Sequence, residues 1–188
     1  MYSYEYRVLL LLVWGHPFML DSLITSKTRL KLLIKFFSNR NNYGHLRGLA
    51  EEFGESTNAI RKELNNLSEA GFLVKVLDKN KIEYQANTQH PLFSNLQDMI
   101  QKYLGFDKLL HAVLERMGSV EKVVLIGDYA QGIDSGTIDV CIVGKELNAD
   151  YLELLSSKIE GYIHRRVRFS IKENFEEKGA LVLFNKAF

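Results

Sequence analysis

Residues 49–76 read LAEEFGESTNAIRKELNNLSEAGFLVKV, and the punctuation of this stretch organises what surrounds it. Gly54 ends a short segment, predicted over His45–Phe53, whose Leu46, Leu49, Ala50 and Phe53 share one face. Ser56 is placed to cap the next helix, because its hydroxyl can accept from an otherwise unpaired N–H in the first turn. That helix carries Ala59, Ile60, Leu64, Leu67 and Ala70 on one side and Asn58, Arg61, Lys62, Asn65 and Asn66 on the other. Gly71 ends it, since glycine readily takes the conformation that follows a helix terminus. Two strands are predicted next, Phe72–Leu77 and Lys81–Ala86, joined by Asp78-Lys79-Asn80.

Upstream, Asp21 or Ser22 can cap a helix running to Phe37, with Leu23, Leu30, Leu33, Ile34 and Phe37 as its stripe, and residues 38–42 form a polar turn. Helix, short helix, tight turn, helix and basic hairpin is the order of a winged helix-turn-helix. In that arrangement the third helix is narrow enough to enter a major groove, and the hairpin lies along the backbone beside it. Residues 49–76 resemble the second helix, recognition helix and first wing strand of ArsR- and MarR-like regulators. The resemblance implies a transcription regulator whose partner is double-stranded DNA. Asn58, Arg61 and Asn65 are the candidates for groove contacts, and Lys62, Lys75, Lys79 and Lys81 for phosphates. A solvated helix face with no partner has the same composition, so these assignments rest on the motif order.

Beyond the wing, His90-Pro91 breaks the chain, and Leu92–Met117 reads as helical, divided at Gly105. Its apolar face comprises Phe93, Leu96, Ile100, Leu104, Leu109, Leu110 and Val113, which suits a connector and a homodimer contact. A buried strand is predicted over Lys122–Ile126, leading into the loop Gly127–Gly132. A second strand over Ile138–Val143, a helix over Asp150–Tyr162 and strands over Val167–Ile171 and Ala180–Phe184 follow. This succession resembles the minimal nucleotidyltransferase fold, and the tandem resembles winged-helix regulators fused to such a domain.

The family carries a Gly-Ser pair after the first strand, two aspartates one residue apart on the next, and a third carboxylate on a later strand. Together these hold divalent metals that bridge nucleotide phosphates. Gly127, Tyr129, Ala130 and Gly132 fit the loop, but Asp128 stands where the serine is expected and Thr137 where the first aspartate is. Asp139 matches the second, and Arg168, Phe169 and Ser170 occupy the region of the third. One carboxylate and a hydroxyl make a poor Mg²⁺ site, so the resemblance implies a catalytically inactive domain kept for dimerisation or ligand sensing. Gly127, Asp128, Gly132 and Asp139 are the candidates for residual nucleotide contact, which would make a nucleotide or other small molecule an effector. The alternative is an active enzyme of antitoxin type. Arg165, Arg166 and Arg168 form a basic cluster suited either to an anion or to solvent.

The expected fold class is therefore α+β. A winged helix-turn-helix at 20–87 is joined by a helical linker at 88–117 to a small α/β nucleotidyltransferase-like domain with a mixed sheet at 118–188. Residues 20–87 hold eleven Lys/Arg against eight Asp/Glu (net +3), and residues 88–188 hold twelve against fourteen (net −2), so phosphate contact belongs to the first part. The single cysteine, Cys141, excludes an intramolecular disulfide and a multi-thiolate metal site, and the five histidines lack metal-ligand spacing. No cofactor, metal or membrane partner is expected, and the cytoplasm is the expected location. For residues 1–19 two readings stand open. The apolar run Val8–Trp14 either precedes the biological start at Met19, or packs on a partner subunit. It is too short to span a bilayer, which takes about 20 residues.

Overall fold

In the computed structural model the described residues are 19–78, 81–163, 165–175 and 178–186. The expectations for residues 1–18 and for Lys79 therefore fall outside them.

The single helix expected up to Phe37 is two: α1 (Met19–Leu23) and α2 (Lys27–Phe37). β-Branched Ile24 and Thr25 separate them. Ser26 is extended, and its Oγ accepts from Arg29 N at 3.2 Å, so the cap belongs to Ser26 rather than to Asp21 or Ser22. Leu23, expected inward, is 72% exposed as a result. α2 is buried over nearly its whole circumference, at Leu30, Leu32, Leu33, Ile34, Phe36 and Phe37. Its neighbours explain why, since α4 (Thr57–Glu69) and α5 (Phe93–Leu104) both pack against it.

Between α2 and α3 (Leu46–Phe53) lies a strand the sequence reading passed over, β1 (Tyr43–His45). It pairs antiparallel with β3 (Lys81–Ala86), and β3 pairs with β2 (Leu73–Asp78), giving the sheet order β1-β3-β2. Helix, strand, two helices and a two-stranded hairpin together make the winged-helix order. α4 starts at Ser56, whose Oγ accepts from Ala59 N at 3.2 Å, as its sequence position predicts.

α5 and α6 (Phe106–Arg116) are divided at Gly105, which has φ 81° and leaves no room for a side chain: a Cβ there would sit 2.5 Å from Ile163 Cγ2. The second sheet has the order β6-β5-β4-β7, from β4 (Ser119–Ile126), β5 (Thr137–Lys145), β6 (Arg166–Lys172) and β7 (Leu181–Asn185). β4 is antiparallel to both β5 and β7, whereas β5 and β6 are parallel and joined over α7 (Tyr151–Ile163), as parallel neighbours require a crossover. The sheet is mixed, and the described residues form a mixed α+β fold with two sheets.

One apolar core runs through both sheets' surroundings, from Leu20, Phe36 and Leu64 through Ile100, Leu104 and Leu109 to Val123, Ile138 and Ile159. α5 and α6 are part of it: Ile100, Leu104, Leu109 and Val113 are fully buried, and Phe37 meets Phe93 at 5.8 Å between ring centroids. Cys141 is buried against Val124 and Val143.

Candidate nucleic-acid interface

Three cations on α2 fix the helices that follow it. Arg29 Nε meets Glu63 Oε2 of α4 at 2.8 Å, and Ser26 Oγ donates to the other oxygen at 2.8 Å. Lys31 Nζ reaches Phe53 O at 2.9 Å and Glu55 at 3.0 Å, and the buried Lys35 reaches Glu52 of α3 at 3.0 Å. Burial works to raise the Glu63 pKa. The hydrogen bonds from Arg29 and Ser26, with the Arg29 charge, outweigh it and hold the carboxyl below its ordinary 4.5. Its folded-state pKa being depressed, Glu63 stabilises the fold above pH 4.5, and that contribution is lost as pH falls through the folded value. Urea unfolding between pH 7 and pH 3 is expected to show a steeper loss of stability for the wild type than for Glu63→Gln below about pH 4.5. Parallel curves would remove Glu63 from the acid response.

With Ile60, Leu64 and Leu67 turned into the core, α4 presents Asn58, Arg61, Lys62 and Asn66 to solvent and Asn65 at its margin. Arg61 Nη1 donates to Asn58 Oδ1 at 3.1 Å, so two candidate groove residues lie together on the first exposed turn. In the hairpin the register separates the wing lysines. Lys75 faces Tyr84 and shares its face with Leu73 and Ala86, while Lys81 faces Asp78 on the opposite face with Glu83. Lys75 Nζ sits 5.8 Å from the Tyr84 ring centroid. The two described wing lysines thus flank the hairpin instead of forming one basic flap. Exposed Val74, Val76, Leu77 and Ile82 lie among them, an apolar component the sequence reading did not weigh.

The loop between β4 and β5 opens with Gly127 and Asp128, both exposed, and then turns inward. Tyr129 and Ala130 are buried in a 3₁₀ turn, and Gly132 is buried behind them. Of the four candidate nucleotide-contacting residues, Gly127, Asp128 and Asp139 stay near one another, with Asp139 Oδ2 3.2 Å from a Cβ built on Gly127. Gly132 is turned away, against α2. Asp139 is engaged by Arg168, directly across the β5–β6 register, with Nε–Oδ1 2.7 Å and Nη2–Oδ2 2.9 Å. The hydrogen bonds and charge of Asp139 raise the pKa of the Arg168 guanidinium above its ordinary value.

Asp134 pairs with Arg165 at 3.0 and 2.6 Å and accepts from the Tyr129 hydroxyl. Arg165 and Arg168 are therefore ion-paired, Arg165 largely buried and Arg168 exposed, and Arg166 is exposed beside them. The divalent metals that the sequence resemblance implies do not fit these residues: Thr137 supplies a hydroxyl, and a guanidinium fills the place beside Asp139 where a third carboxylate is needed. Among the described residues, no group of three or more His, Cys, Asp or Glu is placed to hold a metal ion. No helix among them is long and apolar enough to cross a membrane.

No family model and no curated protein matches the chain. Among solved structures it is similar to MepR, a transcription regulator of the Staphylococcus aureus multidrug efflux pump MepA, at 13% identity over 61% of this chain and 82% of that one, with a TM-score of 0.39. It is also similar to the AntR antimony-specific transcriptional repressor, at 17% identity over 61% of this chain and 87% of that one, TM-score 0.32. YusO from Bacillus subtilis matches at 14% identity over 58% and 86%, TM-score 0.37. At such TM-scores these likenesses add no weight to the geometry.

Proposed function

We propose that this chain is a DNA-binding transcription regulator, in which α4 enters the major groove and the β2–β3 hairpin lies against the adjoining backbone. The observation that carries this reading is the exposed row Asn58, Arg61, Lys62 and Asn66 on a helix held by α2 through Glu63. Asn58, Arg61 and Asn65 read base edges, since amide and guanidinium groups match the donor and acceptor pattern of the groove floor. Lys62 on α4 meets a phosphate, as do Lys75, Lys79 and Lys81 of the wing, with Lys75 and Lys81 on opposite faces of the hairpin. The regulator acts as a homodimer, and the C-terminal unit, of nucleotidyltransferase-like descent, serves dimerisation or the sensing of a small effector.

Fluorescence anisotropy over a salt series, with a duplex from the chain's own upstream region and a scrambled duplex, tests the reading. Preference for the first duplex, with a linear loss of affinity against log salt, supports it. Absence of binding to both at low salt rejects it. The exposed Val74, Val76, Leu77 and Ile82 favour a second reading, in which the hairpin meets a protein. A pull-down that Leu77→Lys abolishes and Arg61→Ala does not would select it.

The proposal of an inactive C-terminal unit has its own check. Incubation with Mg²⁺ and labelled nucleoside triphosphates is expected to show no transfer above background, with wild type and Asp139→Ala indistinguishable. Metal-dependent transfer that Asp139→Ala removes would establish the enzymatic alternative.

A further inference from the structure

The turn Asp128–Gly132 meets the end of α2, and the contact is closely fitted. Asn39 Nδ2 donates to Ala130 O at 2.9 Å, and both groups are buried. Asn42 Nδ2 donates to Lys35 O at 2.8 Å, closing the last turn of α2 over the same spot. Gly132, at φ 73°, fills the remaining space: a Cβ there would lie 2.5 Å from Lys35 O and 2.7 Å from both Asn42 Nδ2 and Lys35 Cα. From the other side, Gln101 Nε2 of α5 donates to Ser38 O at 3.2 Å. Lys35 has two roles here. Its backbone borders Gly132 and accepts from Asn42, while its ammonium holds Glu52 of α3.

One group in this joint is unsatisfied. The Ser38 hydroxyl is buried and has no hydrogen-bond partner among the described residues. A buried orphan hydroxyl penalises the arrangement that contains it, so the joint is held less firmly than its other bonds permit.

We propose that this joint couples the C-terminal unit to the DNA-reading helices: the position of the turn Asp128–Gly132 sets the end of α2, and α2 sets α3 and α4 through Lys35, Lys31 and Arg29. The proposal deepens the regulator reading, because it gives the C-terminal unit a route to α4, but its physical content is independent of DNA. Coupling between distant sites requires an element that both of them bias, and α2 is in contact with both.

Hydrogen–deuterium exchange on the full chain tests it. Asn39→Ala removes the bond to Ala130 and leaves the carbonyl unpaired. It is expected to accelerate exchange about tenfold both in 127–136 and in Leu46–Phe53, to which Asn39 makes no hydrogen bond among the described residues. Ser38→Ala removes the orphan hydroxyl and is expected to slow exchange in the same two segments. The Gly132→Ala substitution should give the largest acceleration, and if it prevents folding, the pair at 38 and 39 still decides. The proposal is overturned if Asn39→Ala changes exchange in 127–136 alone, or if Ser38→Ala and Asn39→Ala shift Leu46–Phe53 in the same direction. DNA affinity measured on the same proteins separates the two ideas. Coupled exchange without any DNA binding by the wild type removes the regulator reading and keeps the joint.

Discussion

Arg61→Ala/Lys62→Ala is expected to weaken binding to the preferred duplex by roughly tenfold to several hundredfold, and to lower the salt slope by about one. The two losses have different origins. A groove contact such as that proposed for Arg61 is worth about 1–3 kcal/mol and discriminates between sequences. A phosphate contact such as that of Lys62 weakens all duplexes alike. The gap between preferred and scrambled DNA should therefore narrow while both curves fall. Both residues are exposed and turned away from Ile60 and Leu64, so the unfolding free energy should stay within about 0.5 kcal/mol of the wild type. An unchanged affinity in a folded double variant would take α4 out of the interface altogether.

Arg165→Ala is expected to cost about 3 kcal/mol, lowering the unfolding temperature by roughly 6–12 °C. The guanidinium, 12% exposed at its side chain, grips Asp134 with two bonds and donates to Ile163 O at 3.2 Å and Tyr103 O at 3.5 Å. It also lies 5.4 Å from the Tyr103 ring centroid. Burial works to raise the Asp134 pKa, but Arg165 and the Tyr129 hydroxyl outweigh it and keep the carboxyl below its ordinary value. Burial, with Asp134 behind it, pushes the Tyr129 phenol up. Removing Arg165 leaves a half-buried carboxylate facing a phenol, and that uncompensated charge is the source of the cost. Arg165→Lys should recover less than half, because an ammonium cannot supply the two parallel bonds and the backbone contacts together. Differential scanning calorimetry at pH 7 reads both, and an Arg165→Ala transition within 1 °C of the wild type would contradict the account.

Elements with a strong local signature were legible in the sequence. Ser56 and Gly54 punctuate α3 and α4 where the residues say they do, and Gly105 divides α5 from α6. The cap at Ser26 was missed because Asp21, Ser22 and Ser26 are all competent caps, and only the bond to Glu63 across 37 residues distinguishes the last. β1 was missed because three residues carry no period, and its pairing with β3 is a tertiary event. For the candidate interface, the outward side of α4 follows from its 3.6-residue spacing. The opposite faces of Lys75 and Lys81 follow from strand register, which depends on the pairing of Leu77 with Ile82 rather than on either strand's composition. Asp139 was recognised as an isolated carboxylate, but its engagement by Arg168 is a contact across 29 residues that no local pattern announces.

The shared core has a consequence for portability. A fragment ending near Asn87 would keep every residue proposed to touch DNA, yet it would strip α5 from α2. Phe37 would lose Phe93, Ser38 O would lose Gln101, and Asn39 would lose Ala130. An apolar helix face would then be left open to water, a liability for aggregation rather than a transplantable reader head. Recombination that exchanges such heads between proteins must therefore carry the α5 seat along with the wing, so the heritable unit is larger than the unit that meets DNA.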